Sequence, residues 1–268
     1  MTHTDPDRGN YQAISIPTSM YPGLIQALHL KLDHPSKLQL QRLSTRYFYC
    51  PGFGRIIEEI SSNCVVCASL KQMPDEILSQ STSETSIFGG NFSSDVIRMH
   101  GQKILITREK LSQFTMTKLI NDETAESLKN ALVSEIIEFI PTSGTSVQVD
   151  CATACQSLKT ESEAEGSTFQ KLGIKIDLGR TLNKNKNPIA ENAIKEFHKE
   201  RLRINPAGGP VTEMELVLIT KNINSRIRNR GLSSKEIVLQ RDQVTNESKP
   251  VSDDELSKEQ FEKRIQQI

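Results

Sequence analysis

A small all-α domain followed by an α/β domain with a mixed five-stranded sheet is the fold this chain predicts. Three observations carry that expectation. Two histidines and two cysteines stand in the order H-x4-H, then C-x2-C after a gap of 29 residues, at His29, His34, Cys64 and Cys67. Residues 73–90 gather Pro74, many Ser and Thr, and Gly89-Gly90, which is linker composition. Beyond them, short alternating or apolar runs give way to apolar residues at helical spacing, and the two kinds of run then interleave.

Taken in order, residues 1–20 hold Pro6, Gly9 and Pro17 without apolar periodicity and read as a flexible tail. Residues 21–72 form the first domain. Leu24, Leu28, Leu32, Leu38, Leu40 and Leu43 suit short helices. His34-Pro35-Ser36 interrupts them, because a residue before proline avoids the helical region. A further helix, Gly54 to Ser61, leads into Cys64. Two thiolates and two imidazoles at chelating spacing are the donors a tetrahedral zinc ion takes. About 50 residues bury too little to be secure alone, so this zinc is structural and folding depends on it. Histidines first and cysteines last reverse the usual DNA-binding finger, which points away from a transcription factor.

Residues 91–245 form the second domain. Asp95–Met99, Ile104–Thr107 and Phe114–Ile120 read as three antiparallel strands. Thr124–Ile140 is a helix through Ala125, Leu128, Leu132, Val133, Ile136 and Ile137. Val147–Val149 is a strand ending on Asp150, Thr168–Leu172 a short helix and Ile174–Ile176 the fifth strand. The loop Thr181–Pro188, which contains N-K-N-K-N-P, feeds a helix from Ile189, with Pro188 where a helix start tolerates it. Ala190, Ala193, Ile194 and Phe197 are its buried stripe. A last helix covers Val211–Arg228, and 246–268 is a polar acidic tail.

This order of three strands, helix, strand, helix, strand, helix is the ribonuclease H-like layout, in which three acids meet at one sheet edge. The candidates are Asp95, Asp150 and Glu191, with 54 and 40 residues between them. Three carboxylates can hold a pair of Mg²⁺ or Mn²⁺ ions, which prefer oxygen donors and, roughly 3.5–4 Å apart, serve phosphodiester chemistry.

Composition limits the alternatives. Lys and Arg number 33 against 33 Asp and Glu, so any attraction to nucleic acid is local. Trp is absent, which disfavours a stacking platform for single strands. With five cysteines, no signal peptide and no apolar run near 18 residues, the chain reads as intracellular with reduced thiols and no membrane partner. Cys50, Cys151 and Cys155 are expected to be small buried hydrophobes.

The H-x4-H…C-x2-C and D…D…E patterns together resemble the integrase of gypsy-type LTR retrotransposons and retroviruses. L-D-H-P-S at 32–36 and C-V-V-C at 64–67 resemble that family's zinc domain, and N-K-N-P-I-A-E-N-A at 185–193 its catalytic-Glu region. N-S-R-I-R-N-R-G-L-S-S-K-E-I at 224–237 resembles the segment after its core. The likeness covers about residues 24–245. It implies a DDE-type polynucleotidyl transferase with Asp95, Asp150 and Glu191 as metal-binding acids. It also implies 3′-end processing and strand transfer of element DNA into target DNA. The partners implied are double-stranded DNA, as element ends and target, and further copies of the chain, because two ends are joined together; the nucleus is the expected place of work. The chain departs from the family in reading D-C-A-T-A where D-N-G often follows the second Asp, and T-R-E-K-L-S at 107–112 in place of V-D-x-F-S. No SH3-like or chromodomain-like module is visible after the core, so a polyprotein fragment or a short derived gene is expected.

Between Lys171 and Arg203 nine basic residues oppose four acids. Lys195 follows Glu191 by one helical turn and shares its face, where an ammonium would hold a phosphate beside the acids. Lys184, Lys186, Lys199, Arg226, Arg228 and Arg230 complete the expected DNA contacts, made to phosphate and therefore salt-sensitive. His100 and His198 are expected to be surface or structural. Two other readings stay open: a catalytically inactive or domesticated relic that binds DNA or protein, and a zinc-dependent interaction module on an inert scaffold.

Overall fold

A computed structural model of the chain describes residues 2–5, 9–49, 52–69, 87–150, 153–179, 187–228 and 231–258, with side chains from Ala13 onward. It divides into two units: Met1–Glu76 with Ser225–Ser233, and Ile77–Asn224 with Ser234–Ile268.

In the first unit, β1 (Thr2–Asp5) pairs antiparallel with β2 (Gly9–Gln12). Strand β3 (Ile14–Ser15) pairs parallel with β4 (Phe48–Tyr49). The expected loose tail is therefore built into backbone ladders, which need no apolar periodicity to form. Three helices pack around Tyr21, Ile25, Leu40, Phe53 and Ile57: α1 (Tyr21–Lys31), α2 (Lys37–Tyr47) and α3 (Phe53–Asn63). A short α4 (Val65–Ser69) follows. Helix α2 starts where it does because Ser36 and Gln39 form a capping box, each side chain bonding the other's backbone N–H. Such a cap stabilises a helix by about 1 kcal/mol. Tyr21 meets Phe53 edge to face at 5.5 Å, in the geometry aromatic quadrupoles favour.

The second unit is a five-stranded sheet in the order β7-β6-β5-β8-β9. Its strands are β5 (Asn91–Met99), β6 (Gln102–Glu109), β7 (Thr115–Ile120), β8 (Thr145–Val149) and β9 (Ile174–Leu178). The first three form an antiparallel meander, while β5 pairs parallel with β8 and β8 with β9. The sheet is thus mixed, and β5 is where the two pairing modes meet. Alternation along the strands divides the core into two layers. On one face Phe92, Leu105, Val147, Val149 and Ile176 pack under α5 (Ala125–Ile136) and α6 (Thr153–Glu163). On the other, Ile97, Ile104 and Ile106 pack under α8 (Pro188–Ile204) and α9 (Glu213–Ser225). Helix α7 (Thr168–Lys171) is one turn, and α10 (Ser234–Leu239) follows α9.

Several boundaries differ from those the sequence suggests. Helix α6 falls where no element is expected: Leu158 is its one fully buried residue, so T-A-C-Q-S-L-K-T-E-S-E lacks an apolar stripe. Strand β5 starts four residues early because Phe92, wholly buried, anchors it. Residues 87–90, expected as the end of the linker, belong to the sheet unit. The Ser146 N–H donates to the Gly90 carbonyl, and Gly89 at φ 76° lies so close to Phe139 that a Cβ would stand 1.9 Å from its carbonyl oxygen. In the acidic tail, residues 253–258 are helical, with Leu256 buried and Asp253 accepting the Phe88 N–H at 3.0 Å.

Two polar contacts tie the α8/α9 layer to the sheet. Arg108, 1% exposed, reaches Glu196 of α8 at 2.7 Å and donates to the Thr115 hydroxyl at 2.9 Å. Strand β7 is an edge strand, and Asn224 of α9 covers its edge: Oδ1 accepts the Thr115 N–H at 2.8 Å and Nδ2 donates to the Thr115 carbonyl at 2.7 Å. The amide thereby substitutes for one rung of a neighbouring strand. Asn224→Ala strands both backbone groups in a buried setting, so stability in urea unfolding should fall by about 2–4 kcal/mol. A loss below about 0.5 kcal/mol would show that water replaces the amide.

Candidate metal centre and acidic cluster

The clearest cluster of chemistry is in the first unit. Helix α1 carries His29, which is 2% exposed. Asp33 and His34 then take φ of 55° and 57°, and the His34 N–H bonds the His29 carbonyl at 2.8 Å. This left-handed turn folds the chain back so that the His34 ring lies against His29. Pro35 prevents the helix from continuing. On the other side, Cys64 ends α3 in an extended conformation (φ −77°, ψ 117°), and Cys67 lies on α4. The break between those helices aims both thiols at the histidines.

The four ligand atoms lie within 4.8 Å of one another. His29 Nε2 is 3.0 Å from His34 Nδ1, Cys64 Sγ is 3.1 Å from His34 Nδ1, and Cys67 Sγ is 3.5 Å from His29 Nε2 and 4.0 Å from His34 Nδ1. Around a tetrahedral zinc, bond lengths require edges of about 3.3 Å between nitrogens and about 3.5 Å from nitrogen to sulfur. The donor set and its spacing fit that ion. All four positions named from the sequence are brought together here, on three different elements.

The acids are placed differently. In the β5–β8 ladder Asn91 faces Ser146, Phe92 faces Val147 and Ser93 faces Gln148. That ladder ends two residues short of Asp95, which lies within β5, and of Asp150, which lies immediately after β8. Glu191 lies in the first turn of α8, behind the N-cap residue Asn187, whose Oδ1 accepts the Ala190 N–H at 3.4 Å. All three acids are half-buried. Asp95 feels the other two: its carboxyl sits above the ordinary carboxylate range, first through burial and then through repulsion from Asp150, Glu191 and Glu123, against the lowering effect of the Val96 N–H it accepts. Among the described residues, only the His/Cys group draws its ligand atoms to chelating distance. The three acids share one region and one field.

Asp95 and Asp150 also face a cleft of about 250 Å³ whose walls include Leu105, Leu128, Leu132 and Leu158. Arg98 and Glu123, joined as an ion pair, lie at this cleft, and Cys155 lines it, packed against the core. Neither Glu123 nor Asn187 was singled out in the sequence. Glu123 stands in an N-D-E run that reads as a solvated turn, and Asn187 is one of three asparagines in its loop.

The expected DNA contacts divide. Lys195 is exposed and Lys199 half-buried, both on α8 in the second unit. Arg226 and Arg228 are half-buried and lie past the end of α9, in a turn closed by the Ile227–Ser233 bridge and belonging to the first unit. They are therefore not a helical stripe: the Arg228 carbonyl accepts from Arg42 at 3.1 Å. Lys184, Lys186 and Arg230, with Cys50 and Cys151, lie outside the described residues. His100 is exposed in the β5–β6 turn at φ 49°, and His198 is exposed on α8.

No protein-family model matches the chain, and no curated protein matches it. No described helix is long and apolar enough to cross a membrane.

Two outcomes follow from this geometry. Zinc chelation, or Cys64→Ser, should melt α1–α4, seen as lost amide-exchange protection across residues 21–69; unchanged protection there excludes a structural metal. The folded chain holds the Asp95 proton more tightly than the unfolded chain, so stability falls as pH rises above the unfolded value of about 3.9. Asp95→Asn should therefore raise the melting temperature at pH 7 in metal-free buffer and leave it unchanged near pH 3, where the carboxyl is protonated in both states.

Proposed function

We propose that this protein is a retroelement integrase, a DDE-type polynucleotidyl transferase that trims element-end DNA and joins it to target DNA. One observation carries the reading. Asp95 on β5 and Asp150, immediately after β8, line one cleft past the end of the β5–β8 ladder, and Glu191 opens a helix whose cap is bonded to both of those strands. The ribonuclease H-like reading of the sheet is supported by the β7-β6-β5-β8-β9 order, with its antiparallel meander extended by two parallel strands. A His₂Cys₂ group ahead of the acids supports the resemblance to integrases.

The donor set of the acidic cluster, all oxygen, fits Mg²⁺ or Mn²⁺. Such ions, when bound, activate the attacking oxygen and stabilise the leaving one. Asp95, Asp150 and Glu191 would hold them, and the mutual repulsion that disfavours ionised Asp95 is relieved when positive charge enters. The attack is in line on phosphorus, by water in trimming and by the DNA 3′-hydroxyl in joining, so no protein nucleophile is required. Lys195, exposed one turn beyond Glu191, is placed to neutralise a phosphate beside the acids. The zinc unit serves to hold DNA ends and copies of the chain together, and the nucleus is where that activity is used.

A second reading, an integrase-derived protein that binds DNA or protein without catalysis, is favoured by the D-C-A-T-A sequence after Asp150. Strand joining separates the two. Given pre-processed element-end DNA with Mn²⁺, the wild-type chain should join strands and Asp150→Asn should lose that activity by at least about 10³-fold. Equal product from both, or none from either, favours the non-catalytic reading.

A further inference from the structure

We infer that Asn187 is the positioning residue of the three-acid centre: its amide locks the start of α8, and with it Glu191, against the two strands that carry Asp95 and Asp150. This role rests on the function proposed above. Asn187 is 3% exposed. Its Nδ2 donates to the Ser94 carbonyl at 3.1 Å and to the Gln148 carbonyl at 3.3 Å, while its Oδ1 accepts the Ala190 N–H at 3.4 Å. Ser94 immediately precedes Asp95, Gln148 lies two residues before Asp150, and Ala190 immediately precedes Glu191. One side chain therefore bonds the backbone directly before Asp95 and Glu191 and two residues before Asp150.

The location explains why an amide is needed. The β5–β8 ladder ends at the Ser93–Gln148 pair, and Asn187 places its two N–H groups between the strands immediately past that point. Both donors are used on carbonyls within two residues of an acid, Ser94 directly before Asp95 and Gln148 two before Asp150. Three like charges here push the helix start away from the strands, and the two bonds oppose that push directly. Serine or aspartate at this position keeps an acceptor for the cap but has no N–H donors for the strands. Those substitutions therefore separate capping from clamping. Pro188 supplies no N–H of its own, so the clamp cannot pass to the next residue.

The test uses the full chain loaded with zinc, with Mn²⁺ as the probe. Asn187→Ser and Asn187→Asp should keep wild-type far-UV circular dichroism and the exchange protection of α8. Their Mn²⁺ affinity by calorimetric titration should fall about tenfold or more. Strand joining should need correspondingly more metal and recover toward the wild-type maximum at saturating Mn²⁺. Wild-type Mn²⁺ affinity in either folded variant overturns the positioning role. So does a joining rate that stays low at every metal concentration while Mn²⁺ binding is intact. If the wild-type chain binds Mn²⁺ no better than Asp150→Asn, the metal centre itself fails, which is a distinct result from a centre that binds normally without the Asn187 clamp.

Discussion

Parallel pairing of β5 with β8 is the constraint on which the second unit turns. β5 is the strand shared by an antiparallel meander and a parallel pair, so its register fixes two kinds of neighbour at once. Parallel pairing obliges the chain to leave the sheet and return, and α5 is the excursion that does so. The same pairing brings two acids 55 positions apart in sequence to one cleft past the end of the ladder. A slip of one residue would turn Val147 and Val149 out of the apolar layer they fill, so the core fixes this register as firmly as the ladder does.

Holding like charges together works against folding. The raised proton affinity of Asp95, caused first by burial and then by repulsion from Asp150, Glu191 and Glu123, reflects that cost in part. The fold offsets it with apolar layers on both faces of the sheet and with polar ties to α8 and α9, from Arg108 to Glu196 and from Asn224 to Thr115. The first unit solves a different problem. The apolar cluster of Tyr21, Ile25, Leu40, Phe53 and Ile57 is small, and beside it α1, the turn after it, α3 and α4 bring four ligand atoms together that could hold a metal ion.

Much of this was legible in the sequence because it was written in short-range chemistry. His29, His34, Cys64 and Cys67 announce themselves by residue type and spacing, and the strands at Ile104–Thr107 and Val147–Val149 by apolar runs. What was not legible lacked a local signal. Helix α6 has one core residue, so periodicity could not show it. The pairing of β3 with β4 joins two-residue strands more than 30 positions apart. Arg226 and Arg228 are expected at the end of a helix over Val211–Arg228, yet α9 stops at Ser225 and the chain turns into a bridge.

The sequence by itself determined the donor atoms for a zinc-type centre, the two-unit order, the five strands and the identity of three candidate acids, since residue chemistry and periodicity survive without knowledge of neighbours. Tertiary structure alone decided that the three acids share one region, and that Asn187 bonds the backbone within two residues of each. The reason is that register and hydrogen bonds between distant segments depend on how layers pack, and no window of sequence contains both partners.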